Sequence, residues 1–484
     1  MTFRPWFQRV RAVLELTTHS QSRRWHGVAP LAAETEQFEP RCLLAAGALD
    51  STFGIGGEKT ADYNAGGFGG NGSSRDKGAA VVIQSDGKIL VAGQFEGSRR
   101  GEYAFGVTRF NSNGTLDLTF GSGGMQPIEF ITGAAGIYNK ATGIAVQSNG
   151  KIVVVGTVTV PRNSSNNLAT LPTVFGVARL NSTGTYDSTF DGDGRRTVTW
   201  GVGSSTATGV AIATDGKIIV AGYKSPNNSV SDDLDFAVAR LKTDGSLDTT
   251  FSGDGLQTVA FDVGGGKGDV CNAMTLQTDG KIVLAGDATV NSSGDVDFAV
   301  ARLTTSGILD NTFDGDGKRT FGFDKGGLKV DLCYAVTVSS GKIVLAGEAE
   351  LAGNDYDFAV ARLNSNGSLD STFDGDGKRT FGIDLVGGNK SDGAKAVKVQ
   401  SDGKIVVAGY ASSVGFDSDY AVARLMADGS LDTTFGNNGK KTSGRSGDDQ
   451  ASALAIQSNG RLVIAGYSKI NGTVDFAVAR LTNS

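Results

Sequence analysis

Four pairs of aspartates are the residues of this chain whose type and spacing best suit metal binding. Each pair has one residue between its carboxylates: Asp233 and Asp235, Asp295 and Asp297, Asp355 and Asp357, and Asp417 and Asp419. Residues two apart on a β-strand share a face, so each pair would direct two carboxylates the same way. Hard cations such as calcium take oxygen ligands of this kind. The pattern predicts calcium binding at these residues, with solvated turn carboxylates as the alternative.

A second aspartate pattern, Asp-Gly-Asp-Gly, occurs three times. Its carboxylates are Asp191 and Asp193, Asp314 and Asp316, and Asp374 and Asp376. Glycine permits tight loops, which suit either a bound cation or an ordinary turn. Neither aspartate pattern has the full spacing of a known calcium loop such as the EF-hand, so both interpretations stay open.

Histidine chemistry is confined to the start of the chain, because His19 and His26 are the only histidines. The remaining sequence therefore lacks the side chain that His-dependent triads, His-ligated zinc and imidazole acid–base catalysis require. No nucleophile–base pair is evident either. The sequence predicts no catalytic residue, and calcium is the one cofactor that it suggests.

Seven basic residues recur at spacings of 57 to 66 residues: Lys88, Lys151, Lys217, Lys281, Lys342, Lys404 and Arg461. They could form a ring that attracts anions, but we favour solvated turn positions. A second set of seven is the arginine of "ARL" and similar phrases: Arg109, Arg179, Arg240, Arg302, Arg362, Arg424 and Arg480. Arginine suits pairing with carboxylate, and the "LD" aspartates are its natural partners: Asp50, Asp117, Asp187, Asp248, Asp310, Asp370 and Asp432. A pair repeated seven times predicts a structural brace.

The elements that position these residues belong to seven repeats, each marked by a phrase like "GKIVVAG". Each repeat contains four strand patterns, which we call A to D. They correspond to runs such as "AVKVQ", "KIVVAG", "DFAVARL" and "LDSTF" with its continuation. The second run is continuously apolar, as in a strand buried on both faces. Seven such units predict a seven-bladed β-propeller.

The two ends of the repeat array complement each other. The chain ends after strand C of the seventh repeat, and "LDSTFGIGGEKT" from Leu49 is a lone strand D. We expect this N-terminal strand to pair into the last blade and close the ring, which also removes an exposed sheet edge. The predicted domains are a leader over residues 1–47 and the propeller over residues 48–484.

The "LD-TF-G-G", "DGKIVVAG" and "DFAVARL" phrases resemble those of the bacterial delta-60 repeat family, over about nine-tenths of the chain. The resemblance implies a β-propeller fold and a bacterial origin, and it implies no catalytic residues. The leader ends "FEPRCLLAAG", which resembles the LEPR-XLL-type segment of large bacterial surface or exported proteins, with Phe38 in place of leucine. This implies an extracellular or cell-surface location, with a cytoplasmic location as the alternative; the leader itself is expected to be disordered.

These features favour a non-catalytic surface or secreted protein that binds or scaffolds protein or glycan. The B–C and D–A loops share one face and vary most in length, as in Val158–Thr173, so specific binding is expected there. The alternatives are a propeller enzyme that uses carboxylates, such as a polysaccharide lyase or hydrolase, and a purely structural cell-envelope protein. The net charge of −6 argues against a nucleic-acid partner. No apolar run is long enough to span a bilayer, and a monomer is expected.

Overall fold

The computed structural model describes residues 46–63, 75–97, 102–130, 138–160, 172–201, 203–225, 233–263, 268–323, 329–352, 355–383, 385, 391–412, 417–444, 447–470 and 472–483. In these ranges the chain forms seven four-stranded antiparallel sheets. The predicted seven-bladed, all-β propeller is therefore confirmed. The leader lies outside the described residues, except for Ala46 and Gly47.

The strands are numbered in chain order, and each sheet is one blade. Blade 1 contains β2 (Lys77–Ile83), β3 (Ile89–Glu96), β4 (Tyr103–Phe110) and β5 (Met125–Ile128). Blade 2 contains β6 (Lys140–Val146), β7 (Ile152–Thr159), β8 (Thr173–Leu180) and β9 (Arg195–Val198). Blade 3 contains β10 (Ser205–Ile212), β11 (Ile218–Lys224), β12 (Asp235–Leu241) and β13 (Leu256–Val259). Blade 4 contains β14 (Asp269–Leu276), β15 (Ile282–Thr289), β16 (Val296–Leu303) and β17 (Lys318–Phe321).

The remaining three blades follow the same order. Blade 5 contains β18 (Asp331–Ser339), β19 (Lys342–Leu351), β20 (Asp355–Leu363) and β21 (Lys378–Phe381). Blade 6 contains β22 (Asp392–Val399), β23 (Ile405–Ser412), β24 (Ser418–Leu425) and β25 (Lys440–Ser443). Blade 7 contains β26 (Asp449–Ile456), β27 (Leu462–Ile470), β28 (Thr473–Leu481) and, from the start of the chain, β1 (Glu58–Ala61).

The first strands of the blades form the inner ring of the molecule. Each contacts the first strand of the next blade, and β26 contacts β2, so the series is cyclic. The hydrophobic core lies between the blades. Phe358 and Val360 of blade 5, for example, pack with Val407 of blade 6, which is why the second strands read as continuously apolar.

Every first strand contains a β-bulge against the second strand. In blade 5 the pairing shifts between Cys333 and Ala335, which leaves Tyr334 as the extra residue. Gly347 lies opposite this bulge, where a side chain would clash with the backbone: a Cβ on Gly347 would lie 1.8 Å from the Leu332 carbonyl oxygen. Bulges redirect side chains locally, and here they do so at the same level in all seven blades.

The ring closes as the sequence predicts. β1 pairs antiparallel with β28, with Glu58 opposite Ala479 and Ala61 opposite Phe476. The described closure begins before Leu49, because the Gly47 amide donates to the Thr482 carbonyl at 2.9 Å. Ala46 joins the core between blades 6 and 7. The strand D pattern is split: the "LD-TF" part forms a turn, and the strand proper follows its glycines.

Candidate functional site on the inner ring

The eight aspartates predicted to bind calcium lie at the start of strand C in four blades, and all are half-buried. Asp235 forms an ion pair with Lys224 at 3.3 Å. Asp295 accepts a hydrogen bond from the Asn291 side-chain amide at 2.8 Å. Among the described residues, none of the eight belongs to a group of three potential ligands close enough to hold a metal. Calcium binding by these pairs stays a prediction.

In two of these pairs, the second aspartate lies near a carboxylate that begins the next blade. Burial raises the pKa of Asp269 to about 6, and the negative charges of Asp262 and Asp235 contribute. Burial likewise raises the pKa of Asp419, with a contribution from Asp449. The structure therefore brings carboxylates together between blades as well as along a strand, which the sequence pattern did not indicate.

Carboxylates also meet where blade 7 contacts blade 1, which we call the closing junction, and here three acids take part instead of two. Asp62, Asp76 and Asp475 bring carboxylate oxygens within 4.8 Å of one another, so this group could hold a metal ion. Asp76 is fully buried and accepts hydrogen bonds from the amides of Tyr63 and Glu96. Burial raises its pKa to about 7, with contributions from the charges of Asp62 and Asp475. None of these three residues was among the predicted ligands.

The Asp-Gly-Asp-Gly carboxylates make the contacts of turn residues. In blade 5, Asp374 pairs with Arg379 at 3.0 Å, and Asp376 accepts the backbone amide of Lys378 at 2.8 Å. Asp374 has a φ of +48°. Blades 2 and 4 repeat these contacts.

The predicted arginine–aspartate brace is present in all seven blades, with Nε to Oδ2 distances of 2.6 to 2.8 Å. In blade 5, Arg362 also donates to the Ala427 carbonyl of blade 6 and lies over the Phe373 ring. Burial raises the pKa of Asp370, but hydrogen bonds from Thr372 and Lys342 outweigh it and hold the pKa well below its usual range. The brace therefore connects neighbouring blades.

The interpretation of the seven turn residues as simply solvated is wrong. Each pairs with the brace aspartate of its own blade, at 2.7 to 3.2 Å. Lys342 and Asp370, for example, are 3.0 Å apart. Strand pairing places the A–B turn beside the brace aspartate, which lies in the turn region after strand C. The linear sequence does not express this proximity. These residues belong to the brace.

A non-repeated polar group lies where the bulges redirect side chains. The bulge residues are Ala79, Thr142, Thr208, Asn272, Tyr334, Lys395 and Ser452. The residue after the glycine of each second strand also differs between blades: Gln94, Thr157, Tyr223, Asp287, Glu348, Tyr410 and Tyr467. These two variable positions within a constant repeat were the missed signal, because comparing repeats position by position would have exposed them.

Tyr334, Glu348, Lys395 and Tyr410 form what we call the inner-ring cluster. The Glu348 carboxylate is buried and accepts hydrogen bonds from both tyrosine hydroxyls, each at 3.0 Å. Lys395 donates to the same carboxylate at 3.3 Å, and its Nζ lies 3.3 Å from the centre of the Tyr334 ring. Both tyrosines and Lys395 are half-buried. The cluster joins blades 5 and 6 near the B–C and D–A connections.

Burial sets the protonation of the cluster. It raises the pKa of Tyr334 and Tyr410, and the charge of Glu348 raises them further. Burial also lowers the pKa of Lys395, against the opposing effect of Glu348. The tyrosines therefore remain hydrogen-bond donors across the neutral range. Each hydroxyl keeps lone pairs, and the amine keeps N–H groups, for a ligand.

Blade 4 supports this cluster through Asp287. Its carboxylate accepts hydrogen bonds from the Cys333 amide at 2.5 Å and from Asn272 at 2.8 Å. Burial raises the pKa of Asp287 to about 8, and the charge of Glu348 contributes. Asn272 also donates to the Cys333 carbonyl. These bonds hold the inner strands of blades 4 and 5 together beside the cluster.

The B–C and D–A connections do share one face, because the strands of every blade are antiparallel. Most of the Val158–Thr173 loop, singled out for its length, lies outside the described residues. In the described ranges, no helix has the length and apolar character needed to cross a membrane.

Six segments match the family model "Domain of unknown function (DUF5122) beta-propeller": residues 84–120, 213–251, 277–313, 339–373, 400–435 and 457–484. Each segment overlaps one of the repeats recognised above. No curated protein matches the chain at a significant level. The more specific resemblance to delta-60 repeats and to an LEPR-XLL segment stays a prediction.

Solved structures match the chain at low similarity. An ulvan lyase, described as a new family of polysaccharide lyase, has a TM-score of 0.47 and 12% identity, covering 86% of this chain and 95% of its own. A streptogramin B lyase has a TM-score of 0.42 and 11% identity, covering 84% of this chain and 93% of its own. An α-L-arabinofuranosidase from Fusarium graminearum has a TM-score of 0.41 and 12% identity, covering 72% of this chain and 92% of its own. No functional conclusion for this chain follows at these scores. The family matches and the fold together support a β-propeller repeat family.

Proposed function

We propose that this protein is a non-catalytic binding propeller that engages a saccharide at the inner-ring cluster. The observation that carries the proposal is a non-repeated group of two tyrosines, a lysine and a carboxylate within an otherwise repeated frame. A structural brace would recur in every blade, as the arginine–aspartate pair does. The cluster occurs once among the described blades, as expected for a specific site.

The chemistry of the cluster suits sugar hydroxyls. Tyrosine combines an apolar ring, which packs against the C–H face of a sugar, with a hydroxyl that hydrogen-bonds at its edge. Glu348 holds both hydroxyls and the amine in fixed positions, so a ligand meets a pre-organised array. Nearby variable loops would add selectivity.

Binding is favoured over carboxylate catalysis because Glu348 is already occupied. Three donors engage its two oxygens, so it is poorly placed to act as a nucleophile or general base. The buried Cys271 is equally unreactive, since burial raises its pKa to about 12. These points support a site that positions a ligand without transforming it.

The test is titration of the full chain with neutral and acidic oligosaccharides, followed by calorimetry, with product analysis in parallel. The proposal expects saturable binding and intact oligosaccharide after long incubation. Binding that is unchanged in a Tyr334→Ala, Tyr410→Ala variant would locate the site elsewhere and overturn the proposal.

An enzyme is the second candidate, and one observation favours a particular form of it. The lowered pKa of Lys395, beside Tyr334, would suit proton abstraction by the Lys395 amine. Release of shortened, unsaturated products from an acidic polysaccharide, lost in Lys395→Gln, would establish this function in place of the first.

The location and the metal remain part of the proposal. We infer a surface or secreted protein because of the leader resemblance, with residues 1–47 as an export-type segment and residues 48–484 as the propeller. Calcium at the strand C aspartates, or at Asp62, Asp76 and Asp475, would fit an extracellular site of action, where calcium is abundant. A monomer without a nucleic-acid partner completes the proposal.

A further inference from the structure

Two lysines of the inner ring have no structural explanation in the repeat. Lys77 and Lys140 occupy the same position in blades 1 and 2, opposite Gln94 and Thr157. The other five blades carry uncharged residues at this position: Thr206, Val270, Leu332, Gly393 and Gln450. A position that serves the fold in five blades without a charge does not require a lysine in the other two.

The two lysines occupy equivalent positions on the contacting inner strands β2 and β6. The surrounding strands partly desolvate the solvent-accessible Lys140 amine and lower its pKa, and the charge of Lys77 lowers it further. Burial also lowers the pKa of Lys77, with Asp448 opposing and Arg75 adding to the shift. Because β2 and β6 are neighbours in the inner ring, the repulsion follows from the position of the strands.

The repulsion is not offset by a dedicated acid. In the described part of the chain, neither lysine forms an ion pair with a carboxylate within 4 Å. The Asp448 carboxylate accepts hydrogen bonds from the Tyr467 hydroxyl at 3.1 Å and from the Gln450 side-chain amide at 3.3 Å. The Lys77 amine lies over the Tyr467 ring, 3.9 Å from its centre.

The site also keeps access to solvent. Lys140 and Arg75 are exposed, and Lys77 is half-buried. An anion could therefore reach both amines, and Arg75 would add to the local positive charge. Partly desolvated lysines bind an anion more strongly than fully solvated ones, since less water must be removed.

We propose that Lys77 and Lys140 form a subsite for the carboxylate or sulfate of an acidic saccharide. This inference rests on the proposed function, because the remainder of the sugar is taken to be held at the inner-ring cluster. The lysine pair then selects the class of glycan, and Tyr467 presents its ring beside the bound acid group.

The test compares two tetrasaccharides on the full chain by calorimetry: tetragalacturonate, with a carboxylate on every ring, and uncharged cellotetraose. We expect wild type to prefer the acidic probe at least ten-fold, and the preference to weaken as salt is raised. A Lys77→Gln, Lys140→Gln variant should lose the preference while retaining its affinity for cellotetraose. Lys77→Arg, Lys140→Arg should retain it.

Each result separates this inference from the proposal beneath it. Equal affinity of wild type for both probes, or a preference that survives the double glutamine variant, overturns the acidic subsite and leaves saccharide binding standing. Failure to bind either probe or any other saccharide overturns both. Lys398→Gln is the matched control, because Lys398 is also a solvent-accessible inner-strand lysine whose pKa is lowered by partial desolvation, and it should change neither affinity.

Discussion

Arg480 donates from Nε to the Oδ2 atom of Asp50 at 2.8 Å, although the two residues are 430 positions apart in the chain. Arg461 approaches the same carboxylate oxygen at 3.1 Å, and the Asp50 side chain is fully buried. The other six blades make this contact between residues eight apart, as Arg302 and Asp310 do. The ring is therefore closed by the same interaction that stabilises each blade.

The brace predicts a large loss of stability when its arginine is removed. In Arg362→Ala, the buried Asp370 keeps Lys342 but loses the more buried of its two cations, and the contact to blade 6 is lost. We expect the free energy of unfolding to fall by about 2–4 kcal/mol, measured by chemical denaturation.

Blade 5 supplies two controls for this measurement. Lys342→Ala removes the more exposed cation from Asp370 and should cost less than Arg362→Ala. Arg379→Ala breaks a pair in which both side chains are about 30% exposed, and it should cost about 1 kcal/mol or less. Equal losses in the three variants would contradict the brace.

Ring closure predicts local opening at β1 when its brace is weakened. β17 is connected covalently to β16 through the preceding turn, whereas β1 and β28 are held together only by non-covalent contacts. In Asp50→Ala we expect faster amide hydrogen exchange across Glu58–Ala61, measured by mass spectrometry. Asp310→Ala is the matched control, and its effect on Lys318–Phe321 should be smaller. The reverse order would show that closure does not depend on this pair.

The buried acid at the start of blade 4 predicts a specific pH dependence. The pKa of Asp269 is about 6 in the folded protein and about 3.9 in an unfolded chain. The folded state therefore binds more protons between these values, so its stability falls as pH rises through them. The slope is at most about 1.4 kcal/mol per pH unit.

Asp269→Asn should remove this loss. The variant is expected to match wild type near pH 4 and to be more stable at pH 8. The chain offers a precedent, since Asn139 occupies the equivalent position in blade 2 and accepts the Thr159 amide at 3.0 Å. Asp254→Asn, an exposed change in blade 3, should leave the profile unchanged. Parallel profiles for wild type and Asp269→Asn would refute the assignment.

The proposed role of Lys395 in ligand binding predicts that its substitution weakens saccharide binding and leaves folding intact. In Lys395→Met, Glu348 retains both tyrosine donors, so the thermal midpoint should change little. Loss of the amine should weaken binding of tetragalacturonate by ten-fold or more, measured by calorimetry. Lys398→Met, on the same strand, should bind like wild type. Unchanged affinity in Lys395→Met would exclude the inner-ring cluster as the site.

If the aspartates bind calcium, the melting temperature of the full chain should be higher in calcium than in chelator. A ligand at 100 times its dissociation constant stabilises a protein by about 2.7 kcal/mol. Asp417→Asn, Asp419→Asn should reduce the rise if the strand C pairs bind, and Asp62→Asn should do so if the closing-junction acids bind. Identical melting temperatures in calcium and in chelator would contradict calcium binding by these aspartates.

The sequence alone determined the number of blades, their strand order, the arginine–aspartate brace and the non-covalent closure. Each of these depends on short patterns that recur once in every repeat, so Gly347 and Arg362 can be interpreted within their own repeats. The eight strand C aspartates were equally visible, but their neighbours between blades were not.

Only the tertiary structure decided which side chains meet across blades. Tyr334 and Tyr410 are 76 positions apart, and both reach Glu348 because a bulge redirects Tyr334 and because blade 6 packs beside blade 5. Asp62, Asp76 and Asp475 meet because the closing junction brings blades 7 and 1 together. Contacts of this kind depend on how strands of different blades are aligned, and no local pattern of residues encodes that alignment.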